Sequence, residues 1–572
     1  MGEPSEIRRS VRAYFFTPLL PYLVAAAGAF FFAGTSDFRG YYGLFLRVGL
    51  AAVLLEITLR FFWSCCGFPV RGFSNSAFLA LRFAGVFFIC TWYFYLRVPE
   101  NPYPNFAPRY AELTLRLDEV SRGMNDSRYG IATVLSAPDF AERTVGRKIW
   151  YTISDGKKAV APNKNFTVSE TVRVSGVLAG TYPDEPKSRG FSASKPEGRA
   201  FEKYLRDKGV HFKISARSAG AVSLAKPESR YAFFEAVRGY MERSLSAYWF
   251  GAFDGSGTAA TYKAMILGDK SLLTPEQKLA FADTGTMHVF AISGLHIGFA
   301  AAVLFGALSL LRVDWRVQPF AALPILYLYV CACGSRPSAM RAFGMIALMW
   351  VALAFSRGAG AFGALVVAAF VAVVASPSIV FDAGFCLSYA IVASIFVYSL
   401  PLYSYVMRAT SSGLPAPDTL RARVSAWVKA YFVGGFCISL GAMFACAPLS
   451  SHFFSYFAPL SVLYSPLFVS GAGLAVGLGF IGFALPAFLA GGLNCVAASV
   501  VGAMSECASF AARTFGGRVD FQMPSLALSY AAVFGFLFLS AFFADSRSVF
   551  LRFALAPIFV ASIMLVSLFE NG

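Results

Sequence analysis

Charged side chains are scarce in this sequence: Asp, Glu, Lys and Arg make up only 14% of its 572 residues, whereas hydrophobic residues make up 57%. A soluble domain cannot bury so many apolar runs of about 20 residues. The composition therefore excludes a soluble globular protein and predicts a polytopic α-helical membrane protein. The number of apolar runs indicates about 11 to 14 membrane segments.

Histidine is also rare, with four residues, and none of the ten cysteines lies between residues 97 and 285. A disulfide framework in that polar region is therefore excluded. Cys331 and Cys333 lack a neighbouring histidine or second cysteine pair, so no zinc site is expected there. No P-loop motif is present, so the energy for any transport would come from a partner ATPase or from the membrane potential. We predict no metal and no cofactor.

The distribution of apolar runs divides the chain into four regions. Three runs within residues 1–96 predict N-terminal membrane helices, and arginines before the first run predict a cytoplasmic N-terminus. Three crossings would place the polar residues 97–230 outside the cytoplasm. Residues 231–285 predict amphipathic or interfacial helices, and residues 286–572 predict a second membrane block.

The polar region 97–230 has the pattern of a small β domain with one helix, predicted at residues 198–208. Segments with strand character are separated by clusters of Gly, Pro, Asp and Asn, and they lie at residues 129–136, 148–154, 168–178 and 210–216. Five or so short strands with one helix are typical of a barrel of the oligonucleotide-binding type.

The same region is basic, with 23 Lys and Arg against 15 Asp and Glu, out of a net charge of +17 for the whole chain. Excess positive charge outside the cytoplasm is not explained by the positive-inside rule and favours a polyanionic partner. Trp150, Tyr151 and Tyr204 are candidates for base stacking. The candidate phosphate contacts are Arg147, Lys148, Lys157, Lys158, Lys203, Arg206 and Lys208.

Residues 283–298 place polar side chains where a polar segment enters an apolar run. Thr274-Pro-Glu-Gln277 predicts a capped short helix that ends near Gly285. The run 287–311 that follows is long enough to cross a membrane. It carries His288, Ser293, Gly294 and His296, and such side chains usually face a cavity rather than lipid. Neither a metal ligand set nor a base for a serine nucleophile accompanies them, so we predict a pore lining or a helix interruption.

Two further polar residues lie in the apolar runs that follow, Arg341 and Asp382. An arginine at the bilayer centre costs roughly 2.5–3.5 kcal/mol on insertion scales. It should therefore face water, a phosphate or a carboxylate, unless it extends to the membrane surface. An ion pair with Asp382 would make both charges tolerable.

Several motifs resemble the ComEC-type competence family, the inner-membrane channel of bacterial DNA uptake. Within residues 120–470 they are Leu267-Gly-Asp269, Thr284-Gly-Thr-Met-His288, Ala291-Ile-Ser-Gly-Leu-His296, Ser338 with Arg341-Ala342 and Met345, Asp382-Ala-Gly-Phe385, Leu387-Ser388, Ala447-Pro-Leu449, Phe457, Ser461 and Pro466-Leu467. Phe201-Glu-Lys-Tyr204 onward is similar to the end of the family's external domain. The resemblance adds Asp269 to the predicted pore residues.

The resemblance implies a channel in the bacterial inner membrane that passes single-stranded DNA into the cytoplasm. Many family members continue into a metallo-β-lactamase-like nuclease domain, and no such histidine cluster is found before Gly572. We therefore expect no enzyme activity and a nuclease, a DNA receptor and a cytoplasmic ATPase or helicase as separate partners, besides membrane lipid. The oligomeric state is left open. The alternative is a secondary transporter or exporter of a smaller anionic solute.

Overall fold

The structure is a computed structural model, and its chain divides into two compact units. One comprises residues 16–233 and 369–382, and the other comprises residues 1–15, 234–368 and 383–572. The described residues are 19–35, 42–65, 73–97, 106–118, 120–122, 127–154, 170–180, 205, 210–225, 229–253, 255–269, 272–292, 294–334, 337–354, 361–411, 419–544 and 546–571.

The first unit begins with three apolar helices, α1 (Leu19–Thr35), α2 (Tyr42–Cys65) and α3 (Phe73–Arg97). They match the three runs predicted from the sequence. The helix α1 buries alanines at Ala25, Ala26 and Ala29, and such small side chains let helices approach closely.

The β domain of this unit contains a closed barrel. Its strands are β1 (Arg109–Leu117), β2 (Ser121–Arg122), β3 (Arg128–Ser136), β4 (Lys148–Ile153), β5 (Thr171–Gly180) and β6 (Phe212–Ala225). The sheet runs β1-β5-β6-β4-β3, and β3 pairs again with β1 to close it. Among the described strands of this sheet only β4 and β6 pair in parallel, and β2 forms a short hairpin with β3. Five closed strands confirm the predicted barrel of the oligonucleotide-binding type.

Alternating side chains fill the barrel. Along β1 the inward residues Leu113, Leu115 and Leu117 are fully buried, as expected for a strand with one face on a core. The strand predictions omitted β1. They also ended the last strand at residue 216, whereas β6 continues to Ala225. Of the helix predicted at 198–208, only Leu205 lies within the described residues, and it is buried.

The second unit is helical. Its helices, some of which begin or end in the other unit, are α4 (Ser229–Ser244), α5 (Gly257–Leu267), α6 (Pro275–Asp283), α7 (Gly294–Leu310), α8 (Gln318–Ala332), α9 (Pro337–Ala354), α10 (Ala361–Ala375), α11 (Ala383–Ser394), α12 (Leu400–Ser411), α13 (Leu420–Phe454), α14 (Ser461–Phe483), α15 (Ala487–Phe515), α16 (Leu526–Phe542), α17 (Val549–Phe553) and α18 (Leu555–Asn571). A two-stranded sheet joins β7 (Tyr456–Phe457) to β8 (Val519–Asp520).

Four helical stretches are long and apolar enough to cross a membrane by length and composition. They are Ala383–Thr410, Leu420–Phe454, Ser461–Phe483 and Ala487–Phe515. Eight shorter apolar helices accompany them in the part of the chain that the structure describes. The predicted fold class, a helical membrane protein with a small β-barrel, is confirmed.

The helix interruption predicted in the run 287–311 is present, so this run is not one continuous helix. A single turn of 3₁₀ helix spans Met287–Phe290, and the α-helix α7 begins only at Gly294.

The barrel yields a test at Gly176 in β5. A Cβ at this position would lie 2.3 Å from the carbonyl oxygen of Ser215 on β6. We predict that Gly176→Ala destabilises the barrel by about 1–3 kcal/mol, as for overpacked cores, whereas Ser175→Ala at the neighbouring position is nearly neutral. Limited proteolysis of the full-length protein at rising temperature measures this. Equal protease resistance in the two variants would contradict the close approach of β5 and β6.

Candidate functional site

The segment between α6 and α7 contains the sequence motif that predicts the site. Its upstream helix α6 begins as predicted, because Thr274 and Gln277 form a reciprocal capping box. Gly285 then takes the left-handed conformation with φ +71°, which favours glycine. The hydroxyls of Thr284 and Thr286 are buried and lie 2.8 Å apart. The chain therefore leaves α6 through a short, internally bonded turn.

This turn lies against the segment that leads into α14. A Cβ at Gly285 would lie 2.7 Å from the Cβ of Ser461 and 2.8 Å from that of Ala458. Glycine is thus required at this position both for its backbone conformation and for the close approach. The turn is held in one position relative to α14.

The two histidines of the motif have different surroundings. His288 is exposed and its Nδ1 lies 3.1 Å from the carbonyl oxygen of Gly285. Because a carbonyl only accepts, Nδ1 is the protonated ring nitrogen. His296 lies in the first turn of α7 and is only 1% exposed. The interruption before Gly294 places one histidine in a surface turn and the other inside the helical unit.

The start of α7 is bonded to the start of α9. The hydroxyl of Ser338 donates to the carbonyl oxygen of Ile292 at 2.8 Å. A Cβ at Gly294 would lie 3.7 Å from the Cβ of Ala342, which is ordinary contact. The first turns of α7 and α9 therefore lie side by side.

Arg341 bonds α9 to the start of α11. Its Nη2 donates to the carbonyl oxygen of Gly384 at 2.6 Å, and the side chain is 7% exposed. The first turns of α7, α9 and α11 thus come together around Gly294, Ser338, Arg341 and Gly384. We call this region the helix junction.

The electrostatics of the helix junction favour an anion. The first turn of a helix leaves backbone N–H groups without partners in the helix and carries about half a positive charge. Three such ends and the guanidinium of Arg341 lie together, and the backbone at Gly294 and Gly384 is exposed. Phosphate and carboxylate groups are the ligands that helix N-termini prefer.

The other predicted pore residues are placed as follows. Oδ2 of Asp269 lies 3.4 Å from Nη2 of Arg238. Nε of the same arginine donates to Oε1 of Glu242 at 3.0 Å. Burial lowers the pKa of Arg238, but these two carboxylates raise it, and its pKa is above the usual value. Asp382 immediately precedes α11, and its pairing with Arg341 stays a prediction. Ser293 lies outside the described residues.

The predicted DNA contacts of the barrel fall into two groups. Arg147 and Lys148 lie at the start of β4, where Lys148 is exposed. The rings of Trp150 and Tyr129 lie on neighbouring strands, 5.5 Å apart. The prediction that Tyr151 stacks bases was wrong, because strand alternation turns it into the barrel core, where it is fully buried. Outside the described residues lie Lys157, Lys158, Lys203, Tyr204, Arg206 and Lys208.

Sequence reasoning missed Asn494, a buried residue near the start of α15. Its Nδ2 donates to the carbonyl oxygens of Ser244 and Ala247 at 2.7 and 2.9 Å, and its Oδ1 accepts from the hydroxyl of Tyr262 at 3.2 Å. A lone amide within an apolar run was the available signal, since such residues rarely face lipid.

Gly285 provides a test of the turn. We predict that Gly285→Ala lowers stability by about 1–3 kcal/mol through backbone strain alone, with the contact to Ser461 adding to the loss. Gly298→Ala is the matched control, because nothing lies within 4 Å of its Cβ and alanine favours a helix interior. Thermal unfolding of both purified variants measures the difference. A Gly285→Ala protein as stable as Gly298→Ala would contradict the described turn.

Asn494 provides a second test. We predict that Asn494→Leu costs about 1–3 kcal/mol, because two partly buried carbonyls lose their donor. Ser499→Ala on the same helix removes only a bond to the carbonyl oxygen of Cys495 and should change stability by less than about 0.5 kcal/mol. The two unfolding midpoints, measured in the same detergent, should differ clearly, and coinciding midpoints would speak against the role of Asn494.

Comparison with known proteins identifies the family. Residues 265–547 match the family model described as Competence protein, and this range includes α7, α9 and α11. A segment of 137 residues is 30% identical to ComE operon protein 3 of Bacillus subtilis (strain 168), and the match covers 24% of this chain and 18% of that protein. No solved structure matches the chain. Residues 265–547, with the helix junction inside them, match the competence protein family, and the two matches together support a ComEC-type competence protein.

Proposed function

We propose that this protein passes single-stranded DNA through the bacterial inner membrane into the cytoplasm. Membership of the competence family supports a role in DNA uptake. The observation that supports passage of DNA through the membrane is the helix junction. It brings three helix N-termini and a buried arginine together within the region 265–547 that matches the competence family. A phosphate backbone is the polyanion that such an arrangement suits.

The barrel would collect the strand. Barrels of this type bind nucleic acid on one sheet face with aromatic side chains and a positive groove. The Trp150 and Tyr129 rings on adjacent strands and the basic Arg147 and Lys148 supply both elements. Contacts to the phosphate backbone do not depend on base sequence, and a conduit for DNA of any sequence requires such contacts.

The pore residues predicted from the sequence would line the path that the DNA strand takes through the protein. We assign this role to Asp269, His288, Ser293, Gly294, His296, Arg341 and Asp382. A path must bind phosphate strongly enough to admit it and weakly enough to release it. Backbone N–H groups and one arginine fit that requirement better than a cluster of lysines. We propose that this segment positions the strand and catalyses no reaction.

The membrane arrangement is part of the proposal. We infer a multi-pass protein with about 11 to 14 membrane segments, a cytoplasmic N-terminus and an extracytoplasmic barrel. The partners would be a nuclease, a DNA receptor and a cytoplasmic ATPase or helicase, each a separate polypeptide.

The collecting role predicts a salt-dependent affinity. For the full-length protein in nanodiscs, the logarithm of single-stranded DNA affinity should fall linearly with the logarithm of salt concentration. The double variant Arg147→Gln and Lys148→Gln should reduce that slope by about 1.4, at about 0.7 per lost contact. Arg421→Gln, an exposed arginine at the start of α13, should leave the slope unchanged. Equal slopes for all three proteins would refute collection by this face of the barrel.

If Arg341 lines the path of the DNA strand, its substitution should impair DNA uptake rather than DNA binding. We expect Arg341→Gln to lower nuclease-protected uptake of labelled single strands by about tenfold or more, since a charged hydrogen bond contributes about 1.5–3 kcal/mol. DNA binding by the barrel should remain. The measurement compares cells that carry the variant, the wild type and Arg421→Gln. Uptake of small anions without uptake of DNA would instead favour the alternative of a solute transporter.

A further inference from the structure

An aromatic loop, residues 247–253, lies where two helices of membrane-spanning length meet. The helix α14 ends at Phe483 and α15 begins at Ala487. The hydroxyl of Tyr240 donates to the carbonyl oxygen of Phe483 at 2.7 Å, and the indole N–H of Trp249 donates to that of Phe488 at 2.6 Å. Trp249 of the loop is therefore bonded to the start of α15, and Tyr240 of the preceding helix α4 is bonded to the end of α14.

The loop is held in one conformation. The side-chain amide of Asn494 restrains the loop, because it donates to the carbonyl oxygen of Ala247 in the loop and to that of Ser244 just before it. The indole of Trp249 lies in a hollow over Gly491 and Gly492. A Cβ at Gly492 would lie 2.6 Å from the indole ring, so glycine is needed for the ring to lie there.

Within this rigid loop, Phe250 is turned outward. Its side chain is 100% exposed, and its backbone has φ +52°. A bulky residue in the left-handed region is strained, and such strain persists only where the surrounding structure imposes it. In water, the exposed ring would add a second unfavourable contribution.

Phe250 directly follows Trp249, which belongs to an apolar patch. Phe488 is 70% exposed and Leu489 and Trp249 are also exposed, while the rings of Trp249 and Phe488 lie 5.5 Å apart. Aromatic residues with a hydrogen-bonded polar end are enriched where helices leave the membrane. The polar atom of Trp249 is bonded to the end of a span, and its ring continues the patch.

We propose that the aromatic loop is a lipid anchor, with Phe250 inserted into the interfacial region of the bilayer. The bilayer is the partner that this position fits, because the patch continues the apolar surface of α14 and α15, two helices of membrane-spanning length, at their ends. Inserting the ring removes it from water and offsets the backbone strain. The anchor fixes the depth of α4 and α5, which lead to Asp269 and the motif 283–298. It does not depend on which solute the protein transports.

Photo-crosslinking tests the anchor in the full-length protein within native membranes. The photoreactive p-benzoyl-phenylalanine replaces Phe250 or, in a second variant, Phe488, and illumination is followed by mass spectrometry of the protein. Phe538 on α16, 59% exposed, is the position expected to give lipid adducts, and Tyr110 on β1, 70% exposed, is the position expected to give none.

We expect phospholipid adducts at 250 and 488, at a yield comparable with that at 538. Lipid adducts at 538 without any at 250 and 488 would overturn the proposal. Adducts to another polypeptide or to a second copy of this chain, in place of lipid, would also overturn it, because they would assign the patch to a protein partner. Because the anchor does not depend on the transported solute, a protein that takes up no DNA would still give the same crosslinking result.

Discussion

The burial of the Arg341 guanidinium among apolar helices is the constraint on which the family region depends. A charge in such surroundings requires oxygen partners, since its desolvation is otherwise costly. The carbonyl of Gly384 supplies one, and that bond fixes the start of α11 beside α9. The bond from Ser338 to Ile292 adds the start of α7. The guanidinium of Arg341 and the hydroxyl of Ser338 together therefore explain why three helix N-termini lie side by side, and the charge of Arg341 adds to their attraction for an anion.

Other polar side chains stabilise the unit in the same way, by satisfying backbone groups that have no water to bond. Tyr329 donates to the carbonyl oxygen of Ile266 at 2.8 Å, and Asn494 donates to the carbonyl oxygens of Ser244, the last residue of α4, and of Ala247. Gln277 caps its own helix and also donates to the hydroxyls of Thr261 and Ser505. Unpaired backbone groups in an apolar environment cost several kcal/mol, roughly, so these side chains determine where the short helices α4 to α6 lie.

The sequence predicted the features that are local. The capping box at Thr274 and the left-handed Gly285 depend on neighbouring residues, and both were confirmed. Strand β1 was missed although its buried leucines alternate with polar and charged residues, a pattern that predicts a half-buried strand. The partner of Arg341 could not be predicted, since a backbone carbonyl carries no sequence signal. The same holds for the left-handed Phe250, whose neighbours Ala247 and Trp249 are bonded to residues 247 and 239 positions away in the sequence.

Passage of a single strand of DNA through the helix junction can be tested by crosslinking. Single-stranded DNA that carries photoreactive thymidine analogues is stalled during uptake into cells by a bulky end and then illuminated. If the strand passes the junction, crosslinks form to the barrel and also to peptides that contain residues 284–298 or 337–345. Crosslinks confined to the barrel, with none in those peptides while the strand is stalled in the membrane, would contradict it.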